Sequence, residues 1–465
     1  MFSRQLTRRS VLAGMVGGVG ALALPVGATP RRPGGRPLRG PDSLPDARRA
    51  AGTPDPNIPI EHVVVVMMEN HSFDNYFGML PGRGLPAADG FTFDAAGRPT
   101  ATNLRVDGTP VRAFAMPTYC QPEHEPNQSW NGTHIAVDDG RMDGFVRASG
   151  DVAMGYWDET DIPFYYSLAK TFPLANRWFA SAPCQTYPNR RFLHAATAYG
   201  LVSTTTPGPT DPPPPNGTIF DRLNAYGVSW TNYFTDLPSV AIIPSIVTSN
   251  PSHLRPITQF YADCAAGTLP AYSLVDPDFG ITDVAGGFPP DGVFPTVLRA
   301  QGQDEENPQN IRYGEQFVAQ VVNAVMSSPA WDRTLLVWCY DEHGGYYDHV
   351  APPPAIAPDS IPPQIGPGDQ PGGYDMYGCR VPAVVVSPWA RKNYVSNVVH
   401  DHTSILAFLE RKWNLPALTF RDANAAAMLD FLDFTAPSFA EPPALVAAPS
   451  PLLGNGCDTS NYPGP

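Results

Sequence analysis

Two segments far apart in the chain constrain its fold most: Val63-Val-Val-Val-Met-Met-Glu-Asn70 and Leu335-Leu-Val-Trp-Cys-Tyr-Asp-Glu342, each an unbroken apolar run that ends on two polar side chains. A strand buried on both faces shows no polar alternation, so runs of this kind predict central strands of a parallel sheet. Open α/β sheets bind their ligands just beyond the carboxyl ends of such strands. Glu69, Asn70, Asp341 and Glu342 are therefore expected together at one sheet edge. Two more short apolar runs, at 271–275 and 381–387, predict further strands. Apolar spacing predicts amphipathic helices over 317–326 and 405–413, the second capped by Asp401 or Thr403. Alternating strands and helices point to an α/β fold with a mostly parallel sheet and helices on both faces. Nothing in these patterns fixes the strand order.

The amino-terminal residues Thr7-Arg8-Arg9-Ser10-Val11-Leu12 lead into a glycine-rich apolar stretch and a small-residue exit at Ala28, the pattern of a twin-arginine export signal over residues 1–28. The apolar stretch is too short for a stable membrane span, since a bilayer core is about 30 Å thick. A secreted or cell-envelope protein delivered by the twin-arginine machinery is expected. Residues 29–57, rich in Pro, Gly and Arg, are expected as a flexible lead-in, 58–440 as a single catalytic domain and 441–465 as a C-terminal tail. The net charge of −14 would fall to −17 once Arg4, Arg8 and Arg9 leave with the signal, which argues against nucleic-acid binding. The 55 prolines include tracts at 211–215 and 351–354, expected as stiff loop insertions. The six cysteines are too widely spaced for a C-x-x-C zinc cluster, and Cys339, inside an apolar strand, is expected as a buried free thiol.

Between the two strand-end pairs lies Cys184-Gln-Thr-Tyr-Pro-Asn-Arg-Arg191, where Pro188 can open a helix and Thr186 stands just before it. A helix start offers free N–H groups to an anion, and a hydroxyl there can attack phosphorus if a cation lowers its pKa. The plainer reading of Thr186 is an N-cap, and spacing alone favours it.

Four blocks then fall into one pattern. They are Ile60-Glu-His-Val-Val-Val-Val-Met-Met-Glu-Asn-His-Ser-Phe-Asp-Asn-Tyr-Phe-Gly78, Thr186-Tyr-Pro-Asn-Arg190, Tyr340-Asp-Glu-His-Gly-Gly-Tyr-Tyr-Asp-His-Val350, and Arg380-Val-Pro-Ala-Val-Val-Val-Ser-Pro388 continued by Asp401-His-Thr-Ser404. In order and spacing the chain resembles the bacterial phospholipase C and acid phosphatase family. The resemblance implies an alkaline-phosphatase-like fold in which Glu69, Asn70, Asp341 and Glu342 hold one divalent metal ion and Thr186 is both its ligand and the nucleophile. It also implies a phospho-enzyme intermediate. Oxygen donors of this kind suit Mg²⁺, Mn²⁺ or Ca²⁺, with Zn²⁺ as a further choice.

His134 resembles a family active-site position, and His253 is a weaker candidate for a second. His343 and Arg190 are expected to bind substrate, the glycines between His343 and His349 suggest that at least one of the two shapes the loop, and His71 and His402 are expected to support the site or to be structural. One position departs from the family: where His-Pro-Pro is common, this chain reads Glu305-Glu-Asn-Pro308. Asn307 can hydrogen-bond a phosphoryl oxygen but cannot protonate a leaving group. Glu306 is the nearest substitute acid, unless it only faces solvent in an acidic loop. A phospholipase C-type phosphodiesterase acting on a phospholipid or small phosphate ester is the first expectation. The alternative is a broad-specificity acid phosphatase, with Arg190 and Arg191 meeting a dianionic monoester. An exported phosphate-ester-binding protein with a decayed site ranks below both.

Overall fold

The computed structural model describes residues 38–121, 126–208, 211–280 and 302–451. The expected export signal and the end of the expected tail lie outside these residues. Residues 39–465 form one compact unit. Its centre is an eight-stranded sheet. In chain order the strands are β1 (His62–Met68), β2 (Leu174–Ala175), β3 (Trp230–Phe234), β4 (Leu254–Pro256), β5 (Tyr272–Val275), β6 (Thr334–Tyr340), β7 (Ala383–Val386) and β8 (Val395–Ser396). They lie side by side as β8-β2-β7-β6-β1-β5-β3-β4.

β1 and β6 are neighbours, parallel and in register from His62 opposite Thr334 to Met68 opposite Tyr340, so their polar ends arrive at the same edge. β6 is buried at every residue and β1 from Val63 onward, as an apolar run without alternation requires. β5 flanks β1 on the other side, also parallel. The sheet is mixed, which corrects the mostly parallel expectation: β7 runs antiparallel to both β6 and β2. A strand buried on both faces has the same residue pattern in either direction, so the apolar run at 381–387 carried no sign of its reversal.

The flanking helices used below are α1 (Phe73–Phe77), α2 (Trp130–Val137), α3 (Pro163–Thr171), α4 (Thr186–Ala195), α5 (Ile311–Met326) and α6 (Thr403–Trp413). α5 buries the expected stripe of Phe317, Val318, Val321, Val322, Val325 and Met326. α6 begins after His402, and neither Asp401 nor Thr403 caps it; the Thr403 hydroxyl is instead given to Asp401. Residues 39–57, expected as a flexible lead-in, are held against the end of α6: Asp42 and Asp55 donate their N–H groups to Ala417 and Lys412, and the Lys412 ammonium reaches the Ile58 carbonyl. The short polar side chains and prolines of this stretch gave no apolar signal for that packing. Cys184, Cys264, Cys339 and Cys379 are buried free thiols, and Cys120 is disulfide-bonded. Among the described residues no helix is long and apolar enough to cross a membrane.

Candidate active site

Where β1 ends, Asn70 turns into the left-handed region (φ 70°) and its N–H points 3.4 Å from Asp341 Oδ1. Where β6 ends, Asp341 and Glu342 leave the strand, and Gly344 and Gly345 follow with positive φ. A Cβ on Gly344 would lie 2.0 Å from the Asn70 carbonyl oxygen, so the two strand-end turns close on each other only with glycine there. His402 Nε2 sits 2.7 Å from the Asp341 carbonyl, which ties the start of α6 to the same edge. Burial lowers the His402 pKa to about 4, so the ring is neutral near pH 7.

α4 delivers Thr186. The Asn189 side chain accepts from the Ala182 N–H and donates to the Cys184 carbonyl, fixing the turn that precedes the helix. Thr186 is the first helical residue, Gln185 is the N-cap and no side chain caps the helix. The N-cap reading of Thr186 is therefore set aside. Its hydroxyl, 3% exposed as a residue, donates instead to Asn70 Oδ1 at 3.3 Å.

Arg190, one turn further along α4, pairs with Glu69 at 3.1 Å and Asp341 at 3.0 Å and donates to the Met67 carbonyl at 3.1 Å. Its guanidinium braces the ligand strands from inside the protein, which is a different place from the substrate-binding one expected. Arg191 donates to the Ile242 carbonyl and lies against the Tyr199 ring.

Burial raises the proton affinity of Glu69 well above the usual range; Arg190 opposes the shift, while Glu306, Asp341 and Asp304 add to it. Asp341 is raised for the same first reason. Glu69, Asp304 and Glu306, all buried, bring ligand oxygens within 4.8 Å of one another. Glu306 thus does not face solvent: it accepts from Gln128 at 3.3 Å, and the Asp304 carbonyl accepts from the Glu69 N–H at 2.9 Å. Asn307 is buried beside it and accepts from the Tyr346 hydroxyl at 3.0 Å.

The donor set is carboxylate and amide oxygen, which fits a hard divalent cation. One orphaned donor also fits a bound phosphoryl group: Asn70 Nδ2 is buried without a hydrogen-bond partner. His343 Nδ1 lies 3.2 Å from Glu342 Oε2, and burial lowers the ring pKa to about 4, so the imidazole is neutral.

A second buried acidic group, Asp74, Asp348 and His349, already has its cation. Arg380 pairs with Asp74 at 3.2 Å and Asp348 at 2.9 Å, and His349 with Asp74 at 2.7 Å. This network joins α1 to the loop after β6.

Two candidate histidines remain. His134 lies on α2, tilted against Trp130 with Nδ1 2.7 Å from its carbonyl, and lines a cavity of about 570 Å³ with Asp138, Asp139, Arg147 and Asp375. His253 stacks on Trp230, the first residue of β3. It precedes Leu254, which lies level with Asn232, Leu274 and Val65 across the sheet. That register puts His253 toward the amino end of the sheet, level with Val64 and about 13 Å from Met68 at the site edge. It corrects the catalytic expectation for His253.

Sequence reasoning missed Asp304 as a member of the site. The only signal was an acidic triplet, Asp304-Glu-Glu306, with no periodicity to show that its first and last members turn inward.

The Phosphoesterase family description matches residues 60–416. Non-specific phospholipase C1 of Arabidopsis thaliana is 31% identical over 404 residues, covering 79% of this chain and 70% of that protein. Non-hemolytic phospholipase C of Pseudomonas aeruginosa is 28% identical over 435 residues, covering 80% of this chain and 56% of that protein, so the match spans little more than half of the bacterial relative. Among solved structures, a protein in the alkaline phosphatase superfamily from Vibrio parahaemolyticus aligns over 74% of this chain and 76% of its own, at 10% identity and a TM-score of 0.34.

Proposed function

We propose, on the premise that this chain belongs to the phosphoesterase family, that it is a phospholipase C-type phosphodiesterase with Thr186 as nucleophile. One observation carries the reading: the buried Thr186 hydroxyl meets Asn70 at the end of β1, and Asn70 in turn meets Asp341 at the end of β6. Three separate segments thus place a hydroxyl among oxygen donors at the carboxyl edge of the sheet. The residues positioned to hold a divalent cation are Glu69, Asn70, Asp341, Glu342 and Thr186 itself. Such a cation supplies Lewis acidity, which lowers the hydroxyl pKa and offsets charge building on the phosphoryl oxygens.

The chain's own groups carry the rest. The Thr186 hydroxyl gives its proton to solvent, Oγ1 forms a bond to phosphorus as the alkoxide of the ester leaves, and the uncapped start of α4 presents N–H groups to the phosphoryl oxygens. Asn70 Nδ2 is a donor with nothing else to bond, whereas neutral His343, its Nδ1–H facing Glu342, offers Nε2 only as an acceptor. Asn307 has no proton to give, so the leaving alkoxide takes one from the carboxyl group of Glu306. Carboxylates as close as Glu69, Asp304 and Glu306 favour keeping a shared proton. Water then displaces Thr186 from phosphorus, which frees the phosphate monoester and the hydroxyl.

The diester is favoured over the monoester by the two arginines. A monoester dianion needs extra positive charge, yet Arg190 is engaged by Glu69 and Asp341, and Arg191 by Ile242 and Tyr199. The amino-terminal pattern supports an exported protein acting on phospholipid or a smaller phosphodiester outside the cytoplasm. The test is hydrolysis of phosphatidylcholine against an aryl phosphate monoester, after chelation and with Mg²⁺, Mn²⁺, Ca²⁺ or Zn²⁺ restored. Cation-dependent diester cleavage is expected to dominate; a higher kcat/KM on the monoester would place the chain with the acid phosphatases.

A further inference from the structure

Several residues of the matched motifs have no place in this chemistry, and three of them, His71, Tyr76 and Tyr340, converge on one residue. Glu305 is 1% exposed. Its carboxylate accepts hydrogen bonds from Tyr76 at 2.6 Å, from Tyr165 at 2.6 Å and from Tyr340. Its backbone carbonyl meets His71 Nε2 at 3.2 Å and accepts from Gln121. His71 is itself stacked between Tyr76 and Tyr346, with ring centroids 4.2 and 5.2 Å away. Five residues from four parts of the chain therefore hold one glutamate.

Glu305 also adopts a left-handed backbone (φ 74°), which costs a non-glycine residue about 1 kcal/mol or more. Its side chain runs across Gly314 of α5, where an added Cβ would lie 2.2 Å from Glu305 Cγ. The glycine in the helix interior is the room that the glutamate occupies. On either side of it, Asp304 and Glu306 turn the other way and join Glu69.

We propose that Glu305 is a positioning residue for the active site: the tyrosine clamp on its carboxylate sets Asp304 and Glu306 against Glu69 and so fixes the cation-holding edge. The inference rests on the reading of that edge given above. A buried carboxyl group held by three tyrosine hydroxyls is rigid in a way that a surface loop is not, since each buried hydrogen bond is lost if the loop shifts. His71, Tyr76 and Tyr340 then belong to the motifs because they hold Glu305, without touching substrate.

The experiment uses chelator-treated full-length protein with Mn²⁺ as the probe. For wild type, Glu305→Gln, Tyr165→Phe and Asp341→Asn it records the metal-free Tm, the Mn²⁺ concentration at half of the thermal shift, and kcat and KM on an aryl phosphodiester. Support partners of metal ligands are typically worth about 10- to 100-fold in affinity or activity. Glu305→Gln, which keeps shape but turns one acceptor oxygen into an NH2 donor facing the tyrosine hydroxyls, is expected to raise the Mn²⁺ midpoint and lower kcat by about 10-fold, with KM within about twofold. Tyr165→Phe is expected to shift the midpoint in the same direction by about threefold, and it decides the matter if Glu305→Gln does not fold.

Lower metal-free Tm with an unmoved midpoint in both variants would overturn the proposal, because a purely structural glutamate behaves so. If Asp341→Asn loses the Mn²⁺ response while the Glu305 and Tyr165 variants keep it, the site stands and the inference alone fails. If wild type gives no response, or Asp341→Asn responds as wild type does, both fall.

Discussion

Thr186 and Gly314 show how a single side chain, or its absence, carries a site. Thr186, the first residue of α4, offers its hydroxyl to Asn70, while the N-cap Gln185 makes no side-chain cap. A capping side chain at 185 would be worth about 1 kcal/mol. At Gly314 the usual helix preference is reversed. Ala replacing Gly in a helix interior normally stabilises by about 1 kcal/mol, but here the methyl group meets the Glu305 side chain. Gly314→Ala is expected to destabilise by about 1–3 kcal/mol, seen as a lower urea midpoint at unchanged slope. A midpoint at or above that of the wild type would show that Glu305 moves aside freely. Glu69, Asn70, Asp341 and Glu342 were legible in the sequence because each pair ends an apolar strand. Asp304 and Glu305 were not, because their burial is imposed by residues from α1, α3, β6 and the segment around Gln121.

Among elements, the loop after β6 is the one whose shape depends on charge. His349 lies against Asp74 at 2.7 Å and Asp89 at 3.3 Å, with Arg380 and Asp348 in the same network. Burial works against its charge, but Asp74 outweighs burial and raises the pKa from 6.5 to about 9. A raised histidine pKa adds stability that is complete below about 6.5 and is lost as pH rises through about 9. The Tm difference between wild type and His349→Gln should therefore be largest near pH 6 and shrink by pH 10; a difference constant across that range would contradict the charge assignment. This pairing was half legible: the glycines between His343 and His349 marked a shaped loop, while Asp74 and Arg380 are remote in sequence. The strand directions were legible only in part. β1 and β6 had to be parallel for their polar ends to meet, but nothing in the apolar run of β7 encodes that it runs the other way.

Across the whole molecule the parallel register of β1 and β6 does the organising, since it carries Glu69 and Asn70 to the same edge as Asp341 and Glu342. α4 then adds Thr186 to that edge and binds it there through Arg190. The acidic balance of the chain accords with a site built for a cation and with two arginines that face carboxylates or backbone instead of substrate. Family membership makes the chain a phosphoesterase; the covalent role of Thr186 is the claim on which the mechanism turns. The most direct measurement is to quench cation-loaded protein with acid during diester turnover and to find the phosphorylated residue by peptide mass spectrometry. Phosphate on Thr186, with turnover lost by on the order of 10⁴-fold in Thr186→Ala, is the predicted result. Turnover retained in Thr186→Ala, or phosphate on another residue, would contradict it.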